Sequence, residues 1–172
     1  MMSKYDDNNP VNQVEIPPRL VWASPWHALS TCGGAGRIGK GAGTLGTLFG
    51  ALAYIVLSTV FSPVAFVLLT AVLFVVGAIA AQKTSDALGV PDHGGIVIDE
   101  VVGIWLVYAL IPSGPLWWIG GFIAFRFFDI VKLPPVDRID EKIKNGWGIM
   151  LDDVVAGVYA LVVMRILGWI LA

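Results

Sequence analysis

Charge is what this chain is short of. Charged residues fill 14% of its 172 positions, against 56% apolar, where soluble domains carry about 25% charged residues. Mean hydropathy is +0.77. A water-soluble fold of this length has too little interior to hide so many Leu, Val, Ile and Trp side chains. A bilayer removes the difficulty, because lipid then replaces water against the outer faces. Cysteine is almost missing. Cys32 stands alone, which excludes an intrachain disulfide and a four-cysteine zinc site. Histidine is limited to His27 and His93, a poor supply of nitrogen ligands for zinc. The Lys and Arg residues form no long run, so there is no electrostatic footprint for nucleic acid as a partner. The beginning of the chain lacks the charged start, apolar core and small-residue cleavage site of a signal peptide.

What is plentiful is long apolar sequence. Five stretches stand out: Leu45 to Phe61, Pro63 to Gln82, Ile96 to Ile111, Leu116 to Phe128 and Val154 to Leu171. A spanning helix needs about 20 residues, so the fourth stretch is short and either spans with its flanks or re-enters. The expectation is an all-α, integral membrane bundle of about four or five transmembrane helices. Residues 1–23 are polar and carry Pro10, Pro17 and Pro18; they are expected to form a mobile tail. Residues 24–172 then make a single membrane-embedded domain.

The connections set the expected topology. Ser62-Pro63 and Pro112-Ser113-Gly114-Pro115 are tight, uncharged turns. The others carry Arg37, Lys40, Lys83, Lys132, Arg138, Lys142 and Lys144. With five spans these all fall on one side, which the positive-inside rule makes cytoplasmic. The N-terminus is then cytoplasmic and the C-terminus external. Trp117 and Trp118 fall at the opposite interface, where indoles are favoured. Arg165, near the external end of the fifth stretch, is placed to snorkel outward.

Two acidic pairs interrupt this apolar sequence. Gly95-Ile96-Val97-Ile98-Asp99-Glu100-Val101-Val102-Gly103 is echoed by Gly148-Ile149-Met150-Leu151-Asp152-Asp153-Val154-Val155-Ala156. The echo reads as two similar helix starts with acids at similar depth. Acids favour helix N-termini, which is the bland explanation. Yet carboxylates abutting membrane helices are costly and usually face a partner or a watery cavity. Arg126 and Asp129 share a helix face at i and i+3. They make either a local ion pair or a fifth carboxylate ligand beside an arginine for phosphate, whose oxygens the guanidinium fork grips in pairs. Lys132 follows one turn on. Five acids, Asp99, Glu100, Asp129, Asp152 and Asp153, suit a hard cation such as Mg²⁺.

Other candidates carry weaker signals. His93, beside Asp92, reads as a general acid, a substrate contact or a solvated loop residue. The glycine-rich run from Gly33 to Thr44 includes Arg37 and Lys40. Its amides and Lys40 suit phosphate, but the spacing is not that of a P-loop, and a flexible linker is the simpler reading. Cysteine-phosphatase chemistry is excluded, since the arginine it needs six positions after Cys32 is Ile38. A histidine-based lipid phosphatase needs more histidines.

In order and spacing these runs resemble one family. Asp92-His93-Gly94 with Ile98-Asp99-Glu100, Phe125-Arg126-Phe127-Phe128-Asp129 with Lys132, and Gly148-Ile149-Met150-Leu151-Asp152-Asp153-Val154-Val155-Ala156-Gly157 look like phosphatidylglycerophosphatase A. Ser24-Pro25-Trp26-His27 and Gly43-Thr44-Leu45-Gly46-Thr47 fit it too, so the likeness runs from about Ser24 onward. Ala42 and Leu133 depart from the pattern, standing where that family usually has proline. The resemblance implies a Mg²⁺-dependent enzyme of the bacterial inner membrane, multi-pass, with its active site facing the cytoplasm. It implies hydrolysis of the terminal phosphomonoester of phosphatidylglycerophosphate, a phospholipid substrate, to phosphatidylglycerol and inorganic phosphate. Asp99, Glu100, Asp129, Asp152 and Asp153 would then be catalytic and hold the metal. Arg126, Lys132, His93, Lys40 and Thr44 would bind the substrate phosphate. Two rivals stand beside it. A CDP-alcohol-type phosphatidyltransferase needs spaced glycines and aspartates on one helix pair, an arrangement missing here. A small cation transporter or channel needs acids through the membrane depth, whereas these crowd one end.

Overall fold

The computed structural model describes residues 10–171. Among them every regular element is helical. α1 (Pro18–Ala23) and α2 (Pro25–Ser30) are short. α3 (Ala42–Leu57), α4 (Pro63–Leu88), α5 (Ile98–Leu110), α6 (Pro115–Val131) and α8 (Gly146–Leu171) form the bundle, with the short α7 (Val136–Lys142) beside α8. All five apolar stretches are therefore helices. α4 and α8 are each long and apolar enough to cross a membrane, and α3 is a shorter apolar helix.

Local chemistry sets the ends. Ser62 caps α4, its Oγ accepting from the Ala65 amide at 3.3 Å, with Pro63 in the first turn. Gly89, at φ 71°, ends it in the left-handed region. α8 begins eight residues before Val154, the expected start. Asn145 Oδ1 accepts from the Trp147 and Gly148 amides at 3.0 and 3.1 Å, which starts the helix early. The echo is thus unequal. Asp99 and Glu100 lie in the first turn of α5, while Asp152 and Asp153 lie about two turns into α8.

α5 is the axis of the bundle. Eleven of its thirteen residues are buried, and α3, α4, α6 and α8 all pack on it. Small residues bring the backbones close. A Cβ on Gly46 would stand 2.7 Å from Val97 Cβ, and one on Gly103 would stand 2.4 Å from the Phe125 ring. Phe66, Trp105, Tyr54 and Tyr108 make an aromatic cluster between α3, α4 and α5. The outer faces of α3, α4, α6 and α8 present Leu52, Leu68, Ile123 and Ile166, all exposed. Polarity is inverted relative to a soluble protein, with acids inside and aliphatic side chains outside.

The expected mobile tail needs correction over its described part. Residues 1–9 lie outside the described residues. From Pro10 onward the segment is packed: Ile16 and Val21 are buried, and Arg37 Nε donates to the Ile16 carbonyl at 2.8 Å. Apolar side chains among the prolines give it something to bury, which its overall polarity concealed.

Candidate metal centre

The acids meet at one end of the bundle. α5 brings Asp99 and Glu100 from its first turn, α6 brings Asp129 from its last, and α8 brings Asp152 and Asp153. Relative exposure of the five runs from 0 to 3%. One oxygen from each of Asp99, Asp152 and Asp153 lies within 4.8 Å of the others. Glu100, Asp129 and Asp153 form a second such triad. Asp153 belongs to both and joins them. Its Oδ2 is buried with no hydrogen-bond partner.

Two cations adjoin the cluster. Arg126 Nη1 is paired with Asp129 Oδ2, lies 4.0 Å from Glu100 Oε1 and donates to Thr47 Oγ1 at 3.5 Å. Lys132 ends α6 in the left-handed region, at φ 47°, and its Nζ lies 3.0 Å from Asp152 Oδ2. Five carboxylates thus face two cations where water is scarce. Buried charge is expensive unless paired or coordinated, so a cation among these acids would steady the cluster. An all-oxygen donor set that includes the orphaned Asp153 Oδ2 fits a hard divalent cation. The ion-pair reading of Arg126 and Asp129 is realised in this geometry. Thr47 is a contact that the sequence did not single out, although it lies one turn beyond Thr44 on the same face of α3.

The weaker candidates take other places. His93 accepts from the Gly95 amide at Nδ1, 2.9 Å, so Nε2 carries the hydrogen and donates to the Val14 carbonyl at 2.6 Å. Both ring nitrogens are engaged with backbone, and His93 fastens the N-terminal segment to the loop before α5. That geometry leaves neither nitrogen for the phosphate expected of it. Lys40 is exposed in the loop before α3. Thr44 is exposed in the first turn of α3 and shares a cavity wall with Arg126.

The glycine-rich run is a built turn, not a slack linker. A Cβ on Gly36 would stand 1.9 Å from the Gly95 carbonyl oxygen, so two backbones touch there. Ser30 accepts from the Val97 amide through its carbonyl at 2.8 Å, which fixes the start of α5. Behind it, Thr84 Oγ1 is hydrogen-bonded to Ser30 Oγ at 2.7 Å and to His27 Nδ1 at 2.8 Å. Burial, reinforced by the charges of Glu100 and Asp99, pushes the Cys32 thiol up.

No solved structure matches the chain significantly. Sequence relatives do. A protein from Haemophilus influenzae named phosphatidylglycerophosphatase A is 41% identical over 159 residues, covering 92% of this chain and 94% of that one. An Escherichia coli protein of the same name is 33% identical over 151 residues, 87% of each. A Bacteroides thetaiotaomicron protein, provisionally named a phosphatidylinositol-3-phosphatase, is 35% identical over 136 residues, 75% of this chain and 84% of that one. The family profile described as phosphatidylglycerophosphatase A matches residues 28–168, which include every acid of the centre, and the chain belongs to that family.

Proposed function

We propose that this protein is a Mg²⁺-dependent phosphatase of the bacterial inner membrane that hydrolyses the terminal phosphomonoester of phosphatidylglycerophosphate, the step that yields phosphatidylglycerol in phospholipid synthesis. The observation that carries the reading is the pair of oxygen triads joined by Asp153, with Arg126 and Lys132 beside them. Relatives named for that activity support the substrate. The acids gather at one end of the bundle, which favours chemistry at an interface over an ion path through the membrane.

α3, α4, α5, α6 and α8 are read as five spans with the acid end cytoplasmic. α5, at about 20 Å, is shorter than the roughly 30 Å hydrocarbon core. It is enclosed by its neighbours, so its length need not match the lipid.

Asp99, Glu100, Asp129, Asp152 and Asp153 hold the metal. Mg²⁺ held by these acids would offset the phosphate charge and supply Lewis acidity there. Arg126 turns part of its fork from Asp129 to the phosphate oxygens. Lys132 holds Asp152 in place and adds charge at the same side. The enclosing apolar helices keep bulk water from the acids, which strengthens each of these interactions. The test is phosphate release by purified protein in detergent, from phosphatidylglycerophosphate with Mg²⁺ and with chelator. Release only with Mg²⁺ is expected. Hydrolysis of phosphatidylinositol 3-phosphate in preference would move the reading toward the third relative's name.

A further inference from the structure

α3 leans closely on α5, α6 packs chiefly on α8 and more lightly on α5, and α3 and α6 touch one another only sparsely. The reason lies in their glycines. Gly46 and Gly50 press α3 onto Val97, Val101 and Ile104, and Gly121 presses α6 onto Tyr108 and Ile111. α3 is held against α5 and α6 against α8 and the end of α5, and a crevice is left between α3 and α6. It holds two cavities, of about 330 and 310 Å³. They share Phe122 and Ile123, so they adjoin along α6 as two halves of a groove. Leu48, Leu52 and Ile55 make the α3 wall. At one end Thr44 and Arg126 line it, and Arg126 reaches Asp129 and Glu100 of the metal centre. At the other end lie Trp118 and Pro115.

The groove has the dimensions and polarity of a site for one hydrocarbon chain. From Arg126 back to Pro115, α6 rises about 16 Å. Its walls are almost wholly apolar, and it opens sideways along outer faces where Leu52, Ile119 and Ile123 are exposed. The cationic group in its lining sits at the end nearest the acids. We propose that this groove holds one acyl chain of the substrate phospholipid, so that the phosphate-bearing headgroup arrives at Arg126. The proposal rests on the lipid-phosphatase reading and adds the subsite that selects for chain. It gives the substrate a lateral route from the leaflet, between α3 and α6, into a centre otherwise closed by helices.

The test compares dioleoyl and dihexanoyl phosphatidylglycerophosphate in mixed detergent micelles. Ile123→Trp narrows the groove where its two halves join. It should lower kcat/KM for the dioleoyl lipid about tenfold, the equivalent of about two methylenes lost from an apolar site, with a clearly smaller loss for the dihexanoyl lipid. Leu68→Trp, on the exposed outer face of α4, should change neither. An equal loss on both lipids, or no loss, overturns the proposal. Equal loss with a changed oligomeric mass would assign the groove to a second copy of the chain. A dioleoyl-length substrate with a diazirine in one acyl chain gives an independent readout. Labelling of the 115–131 segment supports the groove, and labelling spread evenly over α4 and α8 overturns it. If the wild-type protein hydrolyses neither lipid, the phosphatase reading fails, and the labelling pattern still decides the groove.

Discussion

Lys132 reaches from the end of α6 across to α8 and sets its Nζ 3.0 Å from Asp152 Oδ2. A divalent cation bound among the acids would compete with this ammonium for the same carboxylate. Lys132→Met should lower the Mg²⁺ concentration needed for half-maximal activity, because the competitor is gone. It should also lower turnover, because a charge beside the phosphate is gone. A Mg²⁺ titration of phosphate release reads both. A higher Mg²⁺ requirement in the variant would overturn this account of Lys132.

Arg126 Nη1 faces Asp129, Glu100 and Thr47 together. Arg126→Lys keeps the charge and loses the paired donors. If the fork grips phosphate in the transition state, kcat/KM should fall about a hundredfold, the scale of losing one preorganised donor, with unchanged folding. A near-normal kcat/KM would confine Arg126 to its ion pair with Asp129.

Asp153 belongs to both oxygen triads, whereas Asp99 and Glu100 belong to one each. Asp153→Asn should nearly abolish hydrolysis and raise the Mg²⁺ requirement more than Asp99→Asn or Glu100→Gln does. Combining Asp99→Asn with Asp152→Asn should cost little more than either alone, because the residues act as one unit. Strictly multiplicative losses would split the centre into independent sites.

Gly103 lets Phe125 of α6 and the Asp153 backbone of α8 close on α5. A Cβ there would stand 2.4 Å from the ring, too close to keep. Gly103→Ala should destabilise the folded protein by about 1–3 kcal/mol, the usual scale of overpacking. Thermal unfolding in detergent measures it, and a Tm equal to wild type would refute the tight crossing.

Cys32 is partly buried, its thiol raised by burial and then by the charges of Glu100 and Asp99. A raised thiol holds its proton, so little thiolate exists at neutral pH. Maleimide labelling of the folded protein at pH 7 should be far slower than in denaturant. Equal rates would show that the thiol is neither buried nor held protonated.

The bundle was legible because its helices are long and apolar, and the acids were legible because carboxylates there are costly. What escaped was short-range and polar. α1, α2 and α7 have six or seven residues each, too few for a periodic signal. α4 continues past Gln82 to Leu88 because Gln82 is used: its Nε2 donates to Asp86 Oδ1 and its Oε1 accepts from the Gly146 amide. The start of α8 was hidden by Gly146 and Gly148, which read as loop. They are glycines for contact, since Cβ atoms there would stand 2.0 Å from the Ala78 carbonyl oxygen and 1.7 Å from that of Ile143. The fastening role of His93 depends on Val14, 79 positions away in sequence, and no local pattern announces it. Ala42, a departure from the family's proline, sits in the first turn of α3 and donates its amide to the Gly39 carbonyl at 3.0 Å, a bond that proline would forgo.

The division of the acids among α5, α6 and α8 also bears on how the protein is made. Translation delivers Asp99, Glu100 and Asp129 well before Asp152 and Asp153. A nascent chain ending before α8 has three of the five carboxylates, lacks the residue that joins the triads, and leaves the α5 and α6 faces that α8 covers open. Such an intermediate has neither triad complete and leaves the crossings that α8 makes with α5 and α6 unformed. The complete set of acids and the closing of the bundle thus arrive together, with the same helix.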